Sequence, residues 1–247
     1  MSKQGKWRAI RGNKFGVLCI LLVCAHAGAQ TRGSTELSVG WLHIMPQGNA
    51  DPLTVVNAGG MPINQPIPQS GAHPGTSDAV GLTIEHYLTD HVGVALLAGS
   101  PFREELIGDG SFRKYGVLGT TRPMPPAVEV RYHFFSADAK LRPYVGLGVN
   151  YTWFTQTRVT NGAFVADSYG PGGSARATLS PSWNPVFEVG ARYAVAKHWS
   201  LGVALAYVPV ESNLTAYGTT ANGVQVVSRT KLRIHPLNTL VSVSYAF

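Results

Sequence analysis

Thr239-Leu240-Val241-Ser242-Val243-Ser244-Tyr245-Ala246-Phe247 is the stretch whose reading decides the fold. Thr239, Val241, Val243, Tyr245 and Phe247 are β-branched or aromatic, whereas Leu240, Ser242, Ser244 and Ala246 between them are mostly small. Successive side chains of a strand point to opposite faces. The stretch therefore predicts a strand with one face for lipid and one for a lumen, the alternation of a transmembrane β-barrel. A sandwich strand could carry the same pattern, so the rest of the chain has to separate the two.

The opposite end favours the membrane. Lys3, Lys6, Arg8, Arg11 and Lys14 precede an apolar run from Phe15 to Ala25, and Ala27-Gly28-Ala29 supplies small residues for a peptidase. This predicts a signal peptide over residues 1–29 and a barrel domain over residues 30–247. The run is too short for a membrane-spanning helix, which needs about 20 residues. Cys19 and Cys24 fall in the removed segment, so no disulfide is expected in the mature chain. Tyr245 and the aromatic Phe247 at the other end resemble the signal by which the assembly machinery recognises outer-membrane barrels. Together these place the chain in the outer membrane of a Gram-negative bacterium.

Composition agrees. The formal charge of +7 falls to +2 once the five basic residues of the signal are set aside, which gives no reason to expect nucleic-acid binding. Only 13% of residues are charged and 28 are glycine, which suits a wall that is apolar at every second position.

Alternation predicts an all-β, eight-stranded, antiparallel up-and-down barrel. Its strands begin at Leu37-Val39-Trp41, then Val80-Leu82-Ile84, then Val92 to Phe102, then Val128-Val130-Tyr132-Phe134. The second half continues with Val145-Leu147-Val149-Tyr151-Trp153, Phe187-Val189-Ala191-Tyr193-Val195, Trp199-Leu201-Val203-Leu205-Tyr207 and the stretch quoted first. Connections alternate in length. Long ones, rich in Gly, Pro, Thr or Asn, run over 45–78, 103–126, 155–181 and 211–233, with short ones at 89–91, 136–141 and 196–198. Long loops on one side and tight turns on the other are the layout of bacterial outer-membrane barrels with periplasmic termini.

Several blocks then resemble the outer membrane protein W (OmpW) family. The most recognisable is Leu141-Arg142-Pro143-Tyr144-Val145-Gly146-Leu147-Gly148-Val149-Asn150-Tyr151-Thr152. Thr89 to Val94, Ser100-Pro101-Phe102, Pro125-Pro126, Ser182-Trp183 and Lys197-His198-Trp199 support it. The resemblance implies an eight-stranded barrel forming a narrow hydrophobic channel for passive uptake of small apolar molecules. Its implied partners are outer-membrane lipid and lipopolysaccharide, small hydrophobic ligands and the barrel assembly machinery. The first long connection, with Pro52, Pro62, Pro66, Pro68 and Pro74, is longer and richer in proline than the family leads one to expect.

The lumen of an eight-stranded barrel is just wide enough for side chains to fill or for one small ligand to occupy. Glu129 and Arg131 share one inward face and Glu188 and Arg192 another, so mutually neutralising pairs are expected to fill the lower lumen. Above them, the apolar stretches Val94 to Ala98 and Leu201 to Val208 predict a hydrophobic chamber lined by Leu97, Ala204 and Ala206, with Trp183 at its rim. Pro209 is expected to weaken strand pairing beside it, and so to mark a lateral exit. Catalytic readings find little footing. There is no Gly-x-Ser-x-Gly elbow and no His-Glu-x-x-His motif, and His198-Trp199-Ser200 lies at a predicted periplasmic turn. No cofactor and no metal are expected. The alternative reading is a closed barrel whose long loops serve adhesion or phage and bacteriocin binding.

Overall fold

The computed structural model describes residues 30–247, so the predicted signal segment lies outside the described residues. The first strands are β1 (Thr35–Met45), β2 (Thr54–Ala58), β3 (Met61–Pro66), β4 (Ser70–Pro74), β5 (Ser77–Tyr87) and β6 (Val92–Gly99). They are followed by β7 (Glu104–Gly110), β8 (Val117–Met124), β9 (Ala127–His133), β10 (Leu141–Val159) and a short helix α1 (Gly162–Tyr169). The last are β11 (Ser174–Leu179), β12 (Ser182–Ala194), β13 (Trp199–Tyr207), β14 (Glu211–Thr219), β15 (Gln225–Arg233) and β16 (Leu237–Ala246).

Eight of these close a barrel in the order β1-β5-β6-β9-β10-β12-β13-β16, with β16 returning to β1, and every pairing is antiparallel. Closure matters because a membrane offers no water to satisfy a free strand edge. The registers run without a shift, so the two-residue alternation of each strand fixes which residues face out. Val39, Leu82, Val130, Leu147, Val189, Val203 and Val241 are 44–60% exposed and form an apolar belt, a surface that lipid covers. Aromatic girdles bound it: Tyr132, Phe134, Tyr193, Trp199 and Tyr245 near the tight turns, and Trp41, Tyr151 and Trp183 toward the long loops. Tyr245 packs edge-on against Trp199 at 5.0 Å between ring centroids, and Phe247 exchanges backbone hydrogen bonds with Thr35.

Two expectations need correction. The third barrel strand was expected to reach Phe102 but ends at Gly99, where Ser100-Pro101 leave the ladder; Pro101 has no N–H to donate. The four long connections are largely strand. β11-β14-β15-β2-β3 form one sheet, and β4, β7, β8 and the upper part of β10 continue the barrel wall as a second. Runs such as Thr54-Val55-Val56 and Gln225-Val226-Val227 carry the needed β-branched residues, but Gly and Pro around them mask the signal. The prolines sit where they cost least. Pro62 and Pro66 are in β3, an exposed edge strand that pairs only with β2.

Candidate functional site: an apolar chamber over an ionic floor

At the tight-turn end the lumen is filled by charge. Arg131, 1% exposed, meets Glu85 at 3.0 Å, Glu129 at 3.2 Å and Glu188 at 2.8 Å. Arg192 meets Glu36 at 2.6 Å and Glu85 at 2.7 Å and donates to the Tyr87 hydroxyl at 2.8 Å. His133 Nε2 lies 2.6 Å from Glu85, and Arg142 donates to the Gln30 backbone carbonyl at 3.0 Å. The Arg131 guanidinium also lies over the Tyr144 ring, 5.0 Å from its centroid.

The strand register explains this arrangement. Glu36 is cross-strand to Glu85, and Arg142 is cross-strand to Arg192, so like charges are neighbours along the wall. Like charges directly opposite are destabilising; the opposite charges meet instead along β9, as Arg131 with Glu129, two strands away, as Arg131 with Glu85 and Glu188, and across the lumen, as Arg192 with Glu36 and Glu85. Glycines make room for them. A Cβ on Gly190 would lie 2.5 Å from the Tyr144 ring, and one on Gly93 2.3 Å from Glu85 Oε1. Gly146 and Gly148 likewise pack against Glu129, so Gly146-Leu147-Gly148 serves close packing within a strand.

Glu129, Arg131, Glu188 and Arg192, expected to pair within their strand faces, are all buried in the structure, and their pairing differs from that expectation. Arg131 takes both Glu129 and Glu188, whereas Arg192 bonds Glu36 and Glu85 and not Glu188. Glu36, Glu85, His133, Arg142, Tyr87 and Tyr144 were missed as members of this network. Alternation could have found Glu85 and Tyr87, which share the inward face opposite Leu82 and Ile84.

Directly above this floor lies a cavity of about 120 Å³. Glu129 and Glu188 bound it below, and its wall is mostly apolar, with Leu42, Ile44, Leu97, Val186, Val208 and Ile234, interrupted by Thr83, Glu104, Asn150, Thr152 and Asn238. Leu97, Ala204 and Ala206 are among the residues that line it. Trp183 is not. It projects from the outer face of β12, 72% exposed, with its ring 4.7 Å from that of Tyr151, because Asn184 and Val186 take the inward positions. A second cavity of about 90 Å³ sits higher, between the two sheets of the long-loop end, among Leu53, Leu106, Phe112, Leu118, Phe164, Leu214 and Leu232.

The wall of the lower chamber is incomplete between β6 and β9. The ladder between β6 and β9 stops at Leu97 opposite Ala127, and beyond it Ala98, Gly99 and Phe102 border the chamber with Pro123 and Pro125. Prolines cannot donate across that seam. The β12–β13 ladder also stops below Pro209, at Phe187 opposite Tyr207, as the sequence suggested. However, Pro209 borders a polar recess of Ser180, Ser182, Asn184, Asn213 and Lys231 and does not line the chamber.

A closed eight-stranded barrel with a lipid belt, aromatic girdles and a charge-filled base is an outer-membrane β-barrel. Comparison with known proteins narrows this. Residues 39–247 match the OmpW family, and the chain belongs to it. It is 31% identical over 172 residues to outer membrane protein W of Salmonella typhi, covering 68% of this chain and 72% of that protein. It is 26% identical over 181 residues to outer membrane protein AlkL of Ectopseudomonas oleovorans, covering 73% and 71%. The crystal structure of OprG from Pseudomonas aeruginosa shares the fold, with a TM-score of 0.76 at 22% identity over 89% of this chain and 98% of that one. The chain is therefore a protein of the outer membrane of a Gram-negative bacterium.

Proposed function

We propose that this barrel admits small hydrophobic molecules passively from outside the cell and releases them sideways into the membrane. The observation that carries the reading is the apolar chamber seated on the ionic floor. Apolar surface entering such a chamber gains about 25 cal/mol per Å² removed from water, whereas the lipopolysaccharide leaflet presents charge. The chamber is comparable in size to engineered apolar cavities of about 150 Å³ that bind benzene, which favours single-ring or short-chain cargo.

The floor supports the lateral route. Dense, buried ion pairs oppose onward passage to the periplasm, since an apolar molecule crossing the floor would have to separate them. The seam between β6 and β9 is the favoured exit because it borders the chamber and lacks cross-strand hydrogen bonds. It replaces Pro209, whose surroundings are polar.

The test is uptake of p-xylene by intact cells carrying wild type, Leu97→Arg or Ala204→Trp at matched levels of folded barrel. Both variants obstruct the chamber, one with charge and one with bulk, and each should cut the barrel-dependent uptake several-fold. Undiminished uptake in both would remove the chamber from the path.

A further inference from the structure

Glu104 opens β7 at the junction of the two cavities and lines both. It is 4% exposed, and its carboxyl makes no hydrogen bond and no ion pair in the structure. The cavities it lines also carry Phe102, Ala127, Val208 and Leu232, and Thr121 is its cross-strand neighbour. Such a group is costly, because a buried polar atom without a partner forfeits the bonds it had in water. The other acidic groups of the two cavities differ in this respect. Glu129 and Glu188 are tied to Arg131, Asp51 is tied to Arg233, and Glu105 is exposed, as is the basic Arg158. A second unpartnered acceptor, Asn238 Oδ1, lies buried in the lower chamber.

We infer that Glu104 is a polar docking point in a mainly apolar path, and that the preferred cargo is a small apolar molecule bearing one hydroxyl group, such as a phenol or a short alkanol. This rests on the channel reading and names the substrate class within it. Burial with no cation alongside pushes the Glu104 carboxyl up to about 8. At pH 7 it is therefore mainly a neutral acid, able both to donate to and to accept from a hydroxyl. A hydroxylated cargo satisfies the orphaned carboxyl at the point where it passes between the chambers. A pure hydrocarbon leaves it bare.

The experiment compares p-cresol with p-xylene, rings of nearly equal size that differ by hydroxyl against methyl. Initial uptake of each is measured in intact cells carrying no barrel, wild type, Glu104→Leu, Glu104→Met or Glu104→Gln, at matched folded levels judged by heat-modifiable gel migration. The barrel-dependent preference for p-cresol over p-xylene should fall on the order of three- to tenfold in the Leu and Met variants, the worth of one hydrogen bond. It should persist in the Gln variant, and p-xylene uptake should not fall with any of them. Both apolar variants remove an unpaired buried carboxyl, so neither is expected to impair folding. An unchanged preference in Leu and Met, with uptake of both compounds still dependent on the barrel, overturns the docking role alone. Uptake of both compounds independent of the barrel overturns the channel reading, and the docking role with it.

Discussion

Replacing Arg131 with Met tests whether the floor is held together by its ion pairs. Arg131 is 1% exposed and serves Glu85, Glu129 and Glu188 at 2.8–3.2 Å. Glu85 would keep Arg192 and His133. Glu129 would have no ion-pair partner, and Glu188 would keep only the Tyr144 hydroxyl. Removing one partner of a buried pair costs about 3–5 kcal/mol because the other charge stays buried. Met retains most of the Arg stem, so the cavity term is small, while loss of the guanidinium over Tyr144 adds about 1 kcal/mol. The expected destabilisation is therefore about 4–6 kcal/mol. Urea unfolding in lipid vesicles, followed by tryptophan fluorescence and gel migration, measures it. Adding Glu129→Gln and Glu188→Gln to Arg131→Met should recover much of the loss, since neutral amides cost less to leave unpaired. A single variant within 1 kcal/mol of wild type, or a triple variant no more stable than the single, would refute the reasoning.

Other expectations follow from the same geometry. Gly190→Val should abolish or severely reduce barrel assembly, because even a Cβ there would lie 2.5 Å from the Tyr144 ring; gel migration of membrane fractions reads the outcome. The Glu104 carboxyl is pushed up from 4.5 to about 8 in the folded chain, so the folded state holds a proton there that the unfolded state has lost over that interval. Its stabilising protonation is complete below pH 4.5 and is lost as pH rises through 8, so wild type should weaken relative to Glu104→Gln between these limits by up to about 5 kcal/mol. Parallel pH-dependent unfolding curves for the two proteins would contradict this. Cysteines at Met61, Ser111, Ser174 and Asn222, all exposed at the long-loop end, should be labelled on intact cells by an impermeant reagent, and one at Asp138 should not. Labelling at Asp138 would invert the topology.

The barrel was legible because period-2 alternation is strongest where lipid lies on one side. Val128-Glu129-Val130-Arg131-Tyr132-His133 states both faces at once, and its register holds throughout β9. The sheets of the long-loop end were not legible: β2 and β3 show no alternation in burial, and β11, which does alternate, is short and has no deeply buried face. Within the site, Leu97, Ala204 and Ala206 could be read from strand parity. Trp183 could not, because an aromatic residue near a strand end suits a girdle or a rim equally well, and only the parity set by Asn184 and Val186 separates them. The ion pairs failed in their partners for a different reason. Sequence shows which residues share a strand face, but Arg192 reaches Glu36 and Glu85 across the lumen, a relation fixed only by closure. Glu104 was invisible for a related reason, as it lies in a segment expected to be loop.

The measurement that bears most directly on the chamber's role is the initial rate of p-xylene uptake by intact cells with and without this barrel, in strains with equal lipopolysaccharide and matched total outer-membrane protein. Passive admission through the chamber predicts faster uptake with the barrel, unaltered by collapse of the proton gradient. Equal rates in the two strains would contradict it and leave a closed barrel whose loops face outward for another purpose.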